Sequence, residues 1–135
     1  WLSLLLLTEV GTDDRSVELA RVATGRARLC ELLAAESGVP RAGESLYLVG
    51  LLSLVDEMLE VPTDQAVQLL QLASDVREAL LQRAGFYGEV LAMVEAFEQG
   101  DWATVETLAP SVGVAPSRLG RLYLESLHWA REQRR

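Results

Sequence analysis

One histidine and one cysteine are the side chains of this sequence best suited to nucleophilic or acid–base chemistry. His128 lies in a stretch of helical periodicity, and no G-x-S-x-G turn that would present a serine nucleophile occurs in the chain. Cys30 lies on the apolar stripe of a predicted helix, where burial would raise the thiol pKa and suppress its reactivity. We therefore assign no catalytic residue and predict that the chain itself is not an enzyme.

Carboxylates, which could bind a divalent cation, cluster at two places. Asp13 and Asp14 precede a predicted helix, where capping and the helix dipole explain them. Asp56, Glu57 and Glu60 come at the end of another predicted helix, a pattern typical of a solvated helix end. With one His and one Cys, the ligands of a Cys/His zinc site are missing. A phosphate-binding loop of the GxxxxGK type requires lysine, which the chain lacks. The sequence thus predicts no metal site and no cofactor.

Arginines near the C-terminus form the one pattern that could contact DNA. Residues 102–125 have the apolar and turn spacing of a helix-turn-helix, with Gly113 in the turn. Arg118 and Arg121 would lie on the second helix, from which major-groove contacts come. Residues 115–135 hold five Arg against two Glu, a local net charge of +3. A DNA-binding regulator is therefore an alternative interpretation, although Pro110 interrupts the first helix and the second continues into a stretch typical of a core.

The overall composition limits the other function classes. The 135 residues carry 12 basic side chains, all of them Arg, and 20 acidic ones, for a net charge of −8. This charge disfavours nucleic acids and anionic membranes as partners of the whole chain. The apolar run at residues 4–7 is far below the ~20 residues that span a bilayer. One cysteine fits a reducing compartment, so we expect a cytoplasmic protein.

Apolar residues recur every three or four positions along nearly the whole chain, which predicts helices and no strands. The helix at residues 45–60 is apolar on almost all sides, so we expect it to be central. Gly50 and Ser53 form a smooth strip on it, where another helix could approach closely. We predict one all-α domain over residues 1–135, a compact bundle of about eight mostly short helices. They are expected near residues 2–9, 13–37, 45–60, 63–72, 74–84, 89–99, 102–111 and 116–132.

Four segments together resemble a known family. Residues 1–7 (WLSLLLL), 26–34 (RARLCELLA), 46–59 (LYLVGLLSLVDEML) and 100–102 (GDW) look, in that order, like the C-terminal half of an HDOD domain. The resemblance is to the HDOD module that follows an EAL domain in bacterial cyclic-di-GMP signalling proteins, and it covers essentially the whole chain. It implies an HD-like helical fold, further helices before residue 1, and a longer parent protein in which an EAL phosphodiesterase domain would be separate from these residues.

HDOD domains resemble HD-domain metal-dependent phosphohydrolases but lack their metal ligands. Where those hydrolases read approximately Gly-Leu-Leu-His-Asp, residues 50–54 of this chain read Gly-Leu-Leu-Ser-Leu. The resemblance therefore places Ser53 and Leu54 at the positions of the lost His–Asp pair. Asp56 comes two positions later, roughly 200° around a helix. A residual HD-type hydrolase that depends on Asp56 is the less favoured enzyme interpretation.

The resemblance implies a non-catalytic signal-transduction or regulatory domain that acts through protein–protein contacts. The expected partner is an adjoining EAL or other signalling domain of the parent protein. Absent preceding helices would leave apolar surface uncovered. We therefore expect an interaction surface, and self-association of this chain, at Leu2, Leu5, Leu6, Gly50 and Ser53.

Overall fold

The computed structural model describes residues 14–132, and every regular element in that range is a helix, which confirms the all-α prediction. The helix predicted at residues 2–9 lies outside the described residues. None of the helices within 14–132 is long and apolar enough to cross a membrane. The described α-helices are α1 (Asp14–Glu36), α2 (Gly43–Leu52), α3 (Val55–Leu59), α4 (Thr63–Leu70), α5 (Ser74–Gln82), α6 (Gly85–Gln99), α7 (Trp102–Val112) and α8 (Pro116–Glu132), with a 3-10 turn at Pro40–Ala42.

Helix α1 is the longest of the described helices. It is 23 residues long and packs against α2, α3, α6 and α8. Residues 45–60 are apolar on almost all sides, which predicts a central position for them. These residues form most of α2 and all of α3, which together pack against α1, α4, α5 and α6, so this segment is enclosed by other helices as predicted.

The single helix predicted at residues 45–60 is divided into α2 and α3. Helix α2 ends at Leu52, and Leu54 has non-helical backbone angles (φ −112°, ψ 14°). The hydroxyl of Ser53 donates a hydrogen bond to the carbonyl of Gly50 at 2.7 Å. Serine side chains that bond to a carbonyl one turn earlier compete with the regular helical pattern. The break therefore lies at the Ser53–Leu54 pair that the sequence analysis singled out.

Two groups of buried apolar side chains make up most of the core, and α6 contributes to both. Met93 of α6 lies in the first group, whereas Leu91 lies in the second. The first group is built mainly by α1, α6, α7 and α8, and includes Leu29, Leu33, Leu46, Val105 and Leu119. The second is built by α2 to α6, and includes Val49, Val55, Val67, Val76 and Leu80.

The crossing of α1 and α2 depends on the missing side chain of Gly50. A Cβ atom at this position would lie 2.7 Å from Cα of Ala27 and 2.8 Å from the carbonyl oxygen of Arg26. Both contacts are with backbone, which cannot rotate aside. Gly25, in the middle of α1, differs: a Cβ there would have its nearest neighbours, on α8, at 3.9 Å. Only Gly50 of these two is therefore required by packing.

We predict opposite effects of alanine at these two glycines. Gly50→Ala should destabilise the fold by about 1–3 kcal/mol, because the two helices must separate. Gly25→Ala, the matched control, should stabilise it by about 0.5–1 kcal/mol, because alanine is the better helix former and has room. Chemical denaturation followed by circular dichroism measures both. Equal effects of the two substitutions would contradict this assignment of the helix crossing.

Candidate functional site

Ser53, which the resemblance places at the position of a lost metal-binding histidine, contacts a guanidinium group. Its Oγ accepts a hydrogen bond from Nη1 of Arg26 at 2.9 Å. Arg26 lies on α1, and the close helix crossing at Gly50 brings it next to the end of α2. The hydroxyl thus links α1 to the end of α2 through its contacts with Arg26 and the Gly50 carbonyl.

The guanidinium of Arg26 also holds α6. Its side chain is only 10% exposed, and it binds Glu98 through two bonds, Nε to Oε2 at 3.2 Å and Nη2 to Oε1 at 2.5 Å. Oε2 of Glu95, one turn earlier on α6, lies 3.9 Å from Nη1 of Arg26. Two-point pairing of this kind fixes the orientation of both groups as well as their distance.

Glu95 extends this polar network to Arg83, the residue after α5. Nε and Nη2 of Arg83 donate to the two oxygens of Glu95 at 2.7 and 2.8 Å, and Nη1 donates to the carbonyl of Leu80 at 2.5 Å. The hydrogen bond to Glu95 raises the pKa of Arg83. Arg83 has left-handed backbone angles (φ 54°), and a Cβ at Gly88 would lie 2.1 Å from its carbonyl carbon. Gly88 is therefore required for this tight α5–α6 corner.

Arg26, Ser53, Arg83, Glu95 and Glu98, which we call the arginine network, have the wrong chemistry for a divalent cation. Two guanidinium groups carry the positive charge, and the two carboxylates already accept bonds from them. Leu54 packs in a small apolar cluster of α1 and α2 residues and offers no ligand atom. Residues 14–132 contain no group of three or more His, Cys, Asp or Glu side chains that could hold a metal ion.

The strip formed by Gly50 and Ser53 lies against α1 of the same chain. Gly50 is buried against the α1 backbone, and Ser53 is hydrogen-bonded by Arg26. The predicted close approach of another helix does occur here, but the approaching helix is α1. Gly50 is therefore unavailable to a partner, which corrects the docking surface at this position, whereas Ser53 is partly exposed and its place on an interaction surface stays a prediction. Its other predicted members, Leu2, Leu5 and Leu6, lie outside the described residues.

The helix pair proposed for DNA contacts exists, but its second helix packs mainly on α1. Helix α7 runs through Pro110 to Val112, and Gly113 ends it in the left-handed region (φ 82°). Arg118 pairs with Glu36 of α1, with Nη2 and Oε1 2.6 Å apart. This bond lowers the pKa of Glu36 and raises that of Arg118. Arg121 is exposed. One of the two arginines predicted to contact DNA is thus paired with a carboxylate of the same chain.

The two candidate nucleophiles are placed as expected. Cys30 is fully buried, and desolvation raises the pKa of its thiol to about 12. His128 is exposed on α8, with Nε2 3.0 Å from Oε1 of Glu132 one turn later.

Sequence reasoning missed the arginine network entirely, because Arg26 and Glu98 are 72 positions apart. The i, i+3 spacing of Glu95 and Glu98 on one helix was the only available signal, and it is common on solvated helix faces.

A double-mutant cycle on Arg26 and Glu98 tests the network. We expect Arg26→Gln and Glu98→Gln to be less than additive, with a coupling free energy of about 1 kcal/mol, because the guanidinium is nearly buried. The matched control is the exposed Arg21–Glu18 pair on α1, whose coupling should stay below about 0.5 kcal/mol. Urea unfolding measures each free energy. No coupling between Arg26 and Glu98 would refute the pairing.

Two curated bacterial proteins are similar to this chain over most of its length. The chain is 31% identical to the cyclic di-GMP phosphodiesterase CdgJ of Vibrio cholerae over 121 residues, which are 90% of this chain and 28% of that protein. It is 30% identical to the uncharacterized protein YuxH of Bacillus subtilis over 131 residues, which are 96% of this chain and 31% of that protein. The chain thus spans less than a third of either relative's length. It matches no protein-family model and no solved structure.

Proposed function

We propose that this chain is a non-catalytic regulatory domain, the C-terminal part of an HDOD-like domain, in a bacterial cyclic-di-GMP signalling protein. Its task in this proposal is to contact an adjoining EAL or other signalling domain of a longer parent. The similarity to CdgJ, a cyclic di-GMP phosphodiesterase, supports the signalling context. The chain's match to only 28% and 31% of its relatives supports a longer parent.

The observation that carries the non-catalytic part of the proposal is the hydrogen bond between Arg26 and Ser53. In the family resemblance, Ser53 stands where a hydrolase would hold a cation with histidine. Here the position is taken by a hydroxyl bonded to a guanidinium at 2.9 Å. A guanidinium repels a metal cation because both are positively charged. The nearby carboxylates of Glu95 and Glu98 are already paired with arginines and are not free to bind a cation. Metal-assisted hydrolysis needs free ligands and an open coordination position.

In this proposal, regulation works through differential packing. A helical domain can shift a neighbouring domain between two states only by the difference in its contact free energy with each. Coupling free energies of about 1–3 kcal/mol are typical, which corresponds to about 5–150-fold in affinity. The helices of this chain supply a rigid body for such contacts, since the arginine network ties α1, α2, α5 and α6 together.

Cyclic di-GMP hydrolysis by the natural parent protein, with and without these 135 residues, tests the proposal. We expect removal to change the hydrolysis rate about 5-fold or more, in either direction. The 135-residue chain alone should hydrolyse no cyclic di-GMP with Mg²⁺ or Mn²⁺.

The matched control is Asp56→Ala in the parent, which should leave the rate unchanged because Asp56 holds no metal in this proposal. An unchanged rate after removal would contradict the regulatory role. Hydrolysis by the chain alone that Asp56→Ala abolishes would establish the hydrolase interpretation instead.

A further inference from the structure

The outer face of α8 carries a row of apolar side chains that the rest of the described chain covers only in part. Leu124 is 67% exposed, and Leu127, one turn later, is 38% exposed. Gly120, one turn before Leu124, has open space where a Cβ would be. We call Gly120, Leu124 and Leu127 the α8 row. Residues spaced by three or four positions are neighbours on a helix surface.

Arginines flank the α8 row. Arg121 comes three positions before Leu124, and Arg131 comes four positions after Leu127, so both are neighbours of the row. Both residues are exposed. Glu125 and Glu132 lie about 100° and about 80° around the helix from Leu124, beside the row and not within it. A surface that suits the row therefore needs an apolar depression bordered by carboxylates.

A depression of that kind lies on a different part of the same chain. It is an open groove of about 160 Å³ between α5 and the start of α6, with Phe86 and Tyr87 among its apolar lining. Asp75 and Glu78, both exposed, stand at its border. A cavity of about 150 Å³ in a protein can hold a benzene molecule, so the four-carbon side chain of one leucine fits this volume.

We propose that this chain binds a second copy of itself by inserting Leu124 of one copy into the α5–α6 groove of the next. Arg121 and Arg131 of the first copy lie against Asp75 and Glu78 of the second. These charges are opposite in sign, and the net charge of −8 coexists with a local net charge of +3 over residues 115–135. The two surfaces are unlike each other, so the contact is heterologous, and each bound copy presents a further free row and groove.

Sedimentation equilibrium of the 135-residue chain at increasing concentration tests the contact. We expect the average mass to rise beyond that of a dimer, and the rise to weaken in high salt because the arginine–carboxylate pairs are exposed. Leu124→Ser should weaken association about tenfold or more, since it removes the buried leucine. Leu69→Ser is the matched control, because Leu69 is 74% exposed on α4, outside both surfaces, and should change nothing.

Mixing two variants separates this contact from other modes of association. Glu78→Arg should also abolish self-association, whereas Glu106→Arg on α7 should not. The Leu124→Ser variant retains its groove and the Glu78→Arg variant retains its α8 row, so an equimolar mixture should form a one-to-one complex.

Circular dichroism of each variant establishes that it is folded. A strictly monomeric chain, association unaffected by Leu124→Ser, or a mixture that forms no complex would each overturn the proposal.

Discussion

The crossing of α1 and α2 at Gly50 is the constraint on which the rest of the structure depends. With no side chain at this position, α2 lies directly on the backbone of Arg26 and Ala27. That contact sets the end of α2 beside Arg26, whose guanidinium reaches both Ser53 and Glu98. Glu95, on the same face of α6, then binds Arg83 at the end of α5. One close helix approach thus fixes the geometry of a polar network that joins four helices.

The arginine network differs from a metal centre in the source of its positive charge. A bound cation would gather side chains from several helices around one positive charge, whereas here the protein supplies the positive charge itself, through Arg26 and Arg83. The guanidinium groups of Arg26 and Arg83 tie the helices together, but they are not Lewis acids of the kind that metal-assisted hydrolysis uses. The hydrogen bonds of these residues therefore support a structural role for the network.

The helical class and most helix positions could be predicted, because a three-to-four-residue apolar period and Gly or Pro punctuation are local signals. The break at Ser53 could not be predicted, because residues 45–60 show unbroken apolar periodicity. It depends on the hydrogen bond between the serine hydroxyl and a backbone carbonyl. The spacing of Gly50 and Ser53 predicted a close helix approach without revealing that α1 makes it. The pairing of Arg26 with Glu98 was unpredictable, because it depends on how distant helices pack.

Binding of Mn²⁺ to the 135-residue chain at neutral pH tests the central claim most directly. If Arg26, Arg83 and their carboxylate partners occupy the place of a metal centre, calorimetric titration should give no saturable binding up to millimolar Mn²⁺. A one-to-one binding isotherm in the micromolar range that disappears in Asp56→Ala or Glu95→Gln would show that these carboxylates hold a cation, and would contradict the account.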